Sequence, residues 1–477
     1  MPAAFTPSPP PTPRPGQESS DKSGGGGGAT SLNLRRQTNS LYALVPSSWS
    51  KSCVDFCTND ILSLSSSGLL RSELLSELVH VNPDFPTGSG GSRLVDGNFP
   101  YLEQTEAEIA SLHGAETGLI LNSGFEANVA IWSTLPRPGD VMLYDELVHA
   151  STHEGMGQSL VPGSERVMFK HNDVEDFERV LRGILRKNAG VRMGRRSVLV
   201  AVESVYSMDG DVCPLTEMVE VAKEVMQGKG GVEFVVDEAH STGAYGPRGA
   251  GLVSALGLER EVAVRVHTFG KAMGGSGAIV LASQTIKTTL LNFARGLIFS
   301  TAPSFPFVAG MRAGCNLLSS GRTQPAQDRL QSIIRFFYTA LMSHPGWEHA
   351  VETGLLSVPL AQDWESRPFL THIIPLWTRQ KYTHWLNFHL LFAGFYLFHV
   401  EHPVVPHGQS RLKLTLHADN TEEQVQGLVD ALYEWIDEME EIEESTPAGG
   451  KIQATGAARE VYAWMKQQGW SGFGMPA

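Results

Sequence analysis

Only 4 of the 477 residues are cysteine, at positions 53, 57, 213 and 315. That is too few and too scattered for a disulfide framework, and Cys53 and Cys57 have no second Cys/His pair at zinc-finger spacing. A reducing compartment is the expectation. Positive charge is scarce too: Lys+Arg 37 against Asp+Glu 51 gives a net charge of −14, the reverse of the basic footprint that a nucleic-acid surface requires. An anionic ligand therefore needs a local pocket. Long apolar runs are missing as well. The most apolar stretch, Trp385–Val400, is broken by Asn387, His389 and His399 and is short of the ~20 residues that cross a bilayer. No membrane span is expected. The N-terminus lacks the basic-then-apolar order of a secretory leader, and the closing Gly-Met-Pro-Ala is not a peroxisomal or endoplasmic-reticulum retention signal. The expected location is cytoplasmic.

What the chain has is a hydrophobic fraction of 42% with charged residues at only 18%, together with 49 Gly and 27 Pro. This is the composition of a loop-rich globular enzyme, and its length suggests two or three domains. Residues 1–30 are Pro-, Gly- and Ser-rich, including the run Gly24–Gly28, and read as a disordered extension. Residues 31–85 read as an N-terminal lead-in of helix and short strand. From 86 to 315, β-branched runs such as Ser197–Val202, Glu233–Val236 and Gly277–Leu281 alternate with helical stretches such as Val174–Lys187 and Leu215–Met226. That order predicts a mostly parallel sheet with helices on both faces. Residues 316–444 change to helices with a late strand, Arg411–Leu416, and the acidic helix Glu422–Glu443, a smaller α+β domain. Residues 445–477 read as a tail carrying one short helix.

In a parallel sheet the ligand crevice lies at the carboxyl ends of the strands. Several strands here end in polar residues. Asp237-Glu-Ala-His240 closes one buried strand, and Thr268-Phe-Gly-Lys271 closes another. A buried Asp needs a cation, which a pyridinium nitrogen supplies, and a Lys in the same crevice can form a Schiff base. Asp-Glu-Ala-His is also a nucleotide-hydrolysis motif, but that reading requires an upstream G-x-x-x-x-G-K-[ST] loop. None is present: Gly270-Lys271 is followed by Ala272, and Arg265 stands where the first Gly would be. The glycines of Gly88-Ser-Gly-Gly-Ser92 and Gly270–Gly277 lack the acidic residue of a dinucleotide fingerprint. Asn122-Ser123-Gly124-Phe125 follows the strand Leu119–Leu121 and opens a helix, so it is either a single-phosphate site or an ordinary N-cap. His149 and His153 stand four apart without an evident third metal ligand, and a flat imidazole at 149 can instead stack on an aromatic ring. Glu203 and Ser207 close another strand, where a structural role is equally open. The glutamates of Glu434–Glu444 read as a solvated helix face.

Taken in order, these segments resemble the α-oxoamine synthases, pyridoxal-phosphate (PLP) enzymes of fold type I, over about Asp55–Leu416. The motifs that carry the resemblance are Thr58-Asn-Asp60, Gly88-Ser-Gly-Gly-Ser92, Asn122-Ser-Gly-Phe125, Val148-His-Ala-Ser151, Ser207-Met-Asp-Gly-Asp211, Asp237-Glu-Ala-His240, Thr268-Phe-Gly-Lys271, Ser300-Thr301 and Arg411-Leu-Lys-Leu-Thr415. The resemblance implies a PLP-dependent transferase fold with a large, mostly parallel seven-stranded sheet domain and a smaller α+β C-terminal domain. It further implies that Lys271 carries PLP, Asp237 pairs with its ring nitrogen and His149 stacks on the ring. His240 and Ser207 would lie around the phenolic oxygen, with Glu203 beside them. Ser123, Gly124, Phe125 and Thr268 would hold the phosphate, and Ser300 and Thr301 would complete that site from the second subunit of a homodimer. Arg411 would bind the substrate carboxylate, a bidentate task suited to guanidinium, with Asn59 nearby.

The implied reaction joins a small amino acid, alanine favoured, to an acyl-CoA, releasing CoA and carbon dioxide to give an α-amino ketone. The pattern is most like the 8-amino-7-oxononanoate synthase branch, with biotin or specialised metabolism as settings and no metal. Glycine or serine as donor, or a non-catalytic partner subunit of the same fold, are the alternatives. The chain departs from that branch in three places. Val400-Glu-His-Pro-Val-Val-Pro406 puts Glu401 where a cation is usual, Leu102 stands where a His is common, and Thr371–Val400 fits no member closely.

Overall fold

The computed structural model describes residues 52–81, 84–227 and 229–467. The Pro/Gly/Ser-rich stretch 1–30 lies outside the described residues. A short strand, β1 (Val54–Asp55), and a helix, α1 (Leu69–Ser76), open the described chain and lead to α2 (Pro100–Leu112). Seven strands then build the main sheet: β2 (Thr117–Leu121), β3 (Val141–Asp145), β4 (Arg166–Phe169), β5 (Val198–Glu203), β6 (Val232–Asp237), β7 (Val262–Thr268) and β8 (Ala278–Ala282). Their spatial order is β2-β8-β7-β6-β5-β3-β4. Pairing is parallel from β4 through β7, while β8 runs antiparallel to both β7 and β2. The mostly parallel α/β sheet expected from the sequence is therefore present. The run ending at Leu281 is its one antiparallel member, a direction that its uniformly buried apolar side chains do not encode.

The helices between the strands form for local reasons. In α5 (Val174–Lys187) the Asp173 side chain accepts from Asp176 N–H, acids occupy the first turn, and Arg186 and Lys187 occupy the last. Cap and charges thus match the helix dipole. Phe177, Val180, Leu181 and Ile184 recur at helical spacing and pack with Val141, Val198, Val200 and Phe234 of the sheet. The helices α3 (Gly124–Thr134) and α4 (Ala150–Gln158) cover the other face with Ile131, Trp132 and Met156, and α6 (Leu215–Val225) lies beside α5. Both faces of the sheet are buried, so its strands read as continuous apolar runs.

The helices α7 (Phe305–Ser319) and α8 (Gln324–Met342) lead to a second sheet. There β9 (Ile373–Leu376), α9 (Thr383–Phe392), β10 (Phe395–Tyr396), β11 (Phe398–Val400) and β12 (Arg411–Thr415) follow in order. The sheet order is β11-β12-β9, all antiparallel, while β10 pairs with β1. The lead-in segment is thereby built into this unit: Phe56, Ile61 and Leu64 share one core with Leu412, Leu414 and Trp435.

The helix α10 (Glu422–Ser445) starts with a Thr421–Gln424 capping box. Its glutamates do more than face solvent. Glu443 binds Arg379 and Tyr382, and Glu438 accepts from Gly456 N–H at 2.6 Å. Within 445–477, α11 (Gly456–Gln467) packs on α9, burying Ala458, Tyr462 and Met465, and Trp385 Nε1 donates to Tyr462 Oη at 2.9 Å. Among the described residues no helix is long and apolar enough to cross a membrane.

Candidate active site

The carboxyl ends of β5, β6 and β7 bring Glu203, Asp237 and Thr268 to one edge of the main sheet, with Lys271 three residues beyond Thr268. Burial depresses the Lys271 pKa, partly opposed by the charges of Asp237 and Glu203. The amine is thus more available at neutral pH than a surface lysine. Asp237 is fixed on both oxygens: Oδ2 accepts from Asn128 Nδ2 at 2.8 Å and Oδ1 from Ala239 N–H at 2.9 Å. Asn128 also donates to Ser151 Oγ at 3.0 Å, and Ser151 Oγ meets His149 Nδ1 at 2.8 Å. One relay therefore orients both Asp237 and His149, through two residues, Asn128 and Ser151, to which the sequence reading gave no role.

His149 caps α4 and exposes its ring to the crevice. Its backbone N–H donates to Glu203 Oε1 at 2.5 Å. Glu203 is buried, and desolvation together with the Asp237 charge pushes its pKa well up. His240 is buried beside His372 at 5.9 Å between ring centroids, and burial with the positive Lys271 and Lys413 holds it neutral. Its Nδ1 is enclosed without a hydrogen-bond partner among the described residues. An acceptor or donor left in that state costs about 1–3 kcal/mol unless a ligand meets it.

Ser123 Oγ accepts from Glu126 N–H at 3.1 Å, so Ser123 is the N-cap of α3 as well as a neighbour of the crevice. Phe125 is half exposed and meets the His149 ring edge-on at 6.4 Å. Gly124 touches the end of β7: a Cβ built there would stand 2.5 Å from Thr268 Cγ2. This close approach sets a helix N-terminus beside a strand-end hydroxyl, an arrangement of donors that suits a phosphate. Replacing Gly124 by Ala is expected to force the two apart. Overpacking of about 1–3 kcal/mol would weaken PLP binding roughly five- to 150-fold, read by absorbance titration of the stripped protein. An unchanged affinity would remove this cradle from the site.

Ser207 lies in the turn after β5, which Gly210 seats against the second sheet. At Gly210, φ is 69° and an added Cβ would overlap Ile373 O. The turn carries Asp209, which binds Arg411. Arg411 is buried, lies 4.0 Å from the Trp377 ring centroid and is thus already engaged within the chain.

Lys413 is the cation that the sequence reading missed. It shares one face of β12 with Arg411 and Thr415 and is buried, and its charge bears on His240 and His372. Burial and Lys271 press its pKa down to about 8, against the opposing effect of Cys57. Its alternation with Leu412 and Leu414 was the available signal. Asn59, with its Oδ1 enclosed and without a hydrogen-bond partner among the described residues, sits two residues from Cys57. Ser300 and Thr301 are exposed and stand outside this cluster. Leu102 is fully buried in the core with Ile120, Phe269 and Met273.

Behind the turn, His171 bridges two carboxylates, Nδ1 to Asp145 at 2.8 Å and Nε2 to Asp211 at 2.6 Å. Burial works against the charged ring, but these hydrogen bonds outweigh it and hold the pKa up at about 10. A folded value raised above the ordinary ~6.5 gives stability that is complete below that ordinary value and fades as pH rises toward 10. The Tm difference between the wild type and His171→Asn is therefore expected to be largest near pH 6 and to shrink by pH 10. A pH-independent difference would contradict the charged bridge.

The family described as "Aminotransferase class I and II" matches residues 51–432. The chain belongs to this family. Among curated relatives, the aminoacyl transferase sphA of Aspergillus fumigatus is 49% identical, with 91% of each chain covered. The 8-amino-7-oxononanoate synthase of Emericella nidulans is 40% identical, covering 85% of this chain and 95% of that one. A serine palmitoyltransferase from S. paucimobilis, solved with a bound PLP–myriocin adduct, superposes with a TM-score of 0.65 at 26% identity over 80% of this chain and 86% of that one. The protein is a PLP-dependent enzyme of the α-oxoamine synthase group with the fold of type I transferases, as its motif order implied.

Proposed function

We propose that the protein joins a small α-amino acid, alanine favoured, to an acyl-CoA thioester, releasing CoA and carbon dioxide. The observation that supports this most is the juxtaposition of Lys271, Asp237 and Lys413 with the enclosed Nδ1 of His240: one amine, one fixed carboxylate, a second cation and an unmet polar atom in one crevice. PLP, held through Lys271, supplies an electron sink for charge developing at the amino acid's α-carbon.

The chain's own groups supply the rest. Asp237, held by Asn128 and Ala239, would offer its fixed negative charge to the cofactor ring nitrogen, and His149 would stack on the ring. Gly124, Phe125 and Thr268 would hold the cofactor phosphate through backbone and hydroxyl donors, with Ser123 capping the helix behind them. His240 and Ser207 would hold the cofactor around its phenolic oxygen. Lys413 receives the substrate carboxylate beside Asn59, and Asp209 keeps the Arg411 guanidinium in place behind it. Lys413 is preferred to Arg411 for that carboxylate, because Arg411 is already paired with Asp209 and no carboxylate pairs with Lys413 among the described residues.

The Lys271 amine takes the Cα proton. The α-carbon then bonds to the thioester carbonyl carbon, CoA leaves as its thiolate, and the carboxyl group departs as carbon dioxide while a proton returns to Cα. Lys413 adds a cation to the crevice and burial pushes the Glu203 pKa up, both of which favour anionic groups there although the chain as a whole is negative.

Ser300 and Thr301 fit a role across a homodimer. They directly follow Phe299, 72% exposed, an apolar residue suited to contact with a second copy of the chain. Cofactor spectra recorded with glycine, alanine and serine, followed by CoA release from acyl-CoAs of graded length, test the reaction. Alanine is expected to shift the spectrum and to support CoA release. No spectral response to any of the three, with no CoA released, would refute the reading.

A further inference from the structure

The stretch that departs most from the family pattern gathers a second polar cluster, made of none of the residues named above as active-site groups. His384 lies on α9, His399 on β11, and Glu401 directly follows β11. One ligand atom from each lies within 4.8 Å of the other two. His384 Nε2 and Glu401 Oε2 are 3.4 Å apart, and the two imidazole centroids are 4.0 Å apart. Nε2 of His399 is enclosed and has no hydrogen-bond partner among the described residues.

Around a tetrahedral zinc ion with bonds of about 2.0–2.2 Å, ligand atoms stand about 3.3–3.5 Å apart. The His384–Glu401 pair already has that spacing, and modest side-chain rotation brings His399 to it. Two imidazole nitrogens and one carboxylate oxygen favour a borderline transition metal over magnesium or calcium. Side-chain exposures of 14% for His384 and 24% for Glu401 leave a path from solvent and room for water as a further ligand.

We propose that His384, His399 and Glu401 bind one divalent transition-metal ion of the zinc class. The site is structural in its consequence. In the β11–β12 ladder, His399 pairs with Leu412 and Val400 with Arg411. Two of the ligands therefore bracket the residue opposite Arg411, and the third ties the hairpin to α9. An ion there fixes the strand that presents Arg411 and Lys413.

The test uses the PLP-loaded full chain, stripped with a chelator, desalted and titrated with Zn²⁺ alone, without amino acid. The expected result is about one zinc per chain, with a rise in Tm. His384→Gln and Glu401→Gln should each weaken binding at least tenfold, since even changes outside the ligand shell cost about 10–100-fold. Their metal-free Tm should stay at the wild-type value. Zinc should be retained by Cys53→Ser/Cys57→Ser and by a double replacement of His402 and His407, whose rings stack 3.6 Å apart beside the cluster. Failure of the wild type to hold zinc, unchanged binding in the His384 and Glu401 variants, or loss confined to the cysteine or His402/His407 variants would overturn the proposal. None of these readings depends on turnover.

Discussion

Lys271→Ala is expected to leave a folded protein that no longer shows the visible absorbance of lysine-bound PLP and no longer releases CoA. Two functions are lost together: the covalent anchor and the group that takes the Cα proton. General-base removal alone costs about 10²–10⁴-fold, so turnover should fall below detection in an ordinary thiol-release assay. The geometry gives no substitute. Lys413, the other buried amine, belongs to the second sheet on β12, whereas Lys271 follows the end of β7 beside Asp237. Circular dichroism and thermal melting separate this outcome from misfolding. A Lys271→Ala protein that releases CoA at the wild-type rate would remove the assignment.

Lys413→Gln carries the second large effect. If Lys413 receives the carboxylate, the variant loses a charge-assisted hydrogen bond worth about 1.5–3 kcal/mol, and the amino-acid KM should rise roughly 10- to 100-fold. The acyl-CoA KM and the spectrum of the resting enzyme should change little. Arg411→Gln should behave differently, because it leaves the partly buried Asp209 without its cation and loosens the turn after β5. Its main signature is a lower Tm. The reverse pattern, a KM effect confined to Arg411→Gln, would return the carboxylate to Arg411. Since burial holds Lys413 at about 8, amino-acid binding should also weaken as pH rises through that value. The sign follows from loss of the ammonium form.

Much of the fold was legible in the chain because its signals are local. The apolar spacing and Asp173 cap of Val174–Lys187 and the Thr421–Gln424 box before α10 need no distant partner to be read. One strand end was equally clear, since Asp237 follows the apolar run Phe234–Val236, whereas Arg265 and His267 interrupt the strand that ends at Thr268. Strand direction was not. A buried strand shows the same β-branched surface whichever way it runs, so the antiparallel β8 was settled by its neighbours β7 and β2. The packing of α11 on α9 and the seating of the lead-in on the second core were hidden for the same reason. Their contacts join residues tens to hundreds of positions apart.

The candidate site divides along the same line. Sequence alone determined the family and cofactor, because Lys271, Asp237, His149 and the glycine turn at 124 sit in ordered motifs whose chemistry is specific. Only the tertiary structure decided which groups meet. It turned Arg411 onto Asp209 and Trp377, placed Lys413 in the crevice, and linked Asp237 to His149 through Asn128 and Ser151. Residue type records what a side chain can do, but pairing and desolvation depend on distances that close only when the two sheets pack. Those distances set which buried cation is already paired and which one faces the crevice.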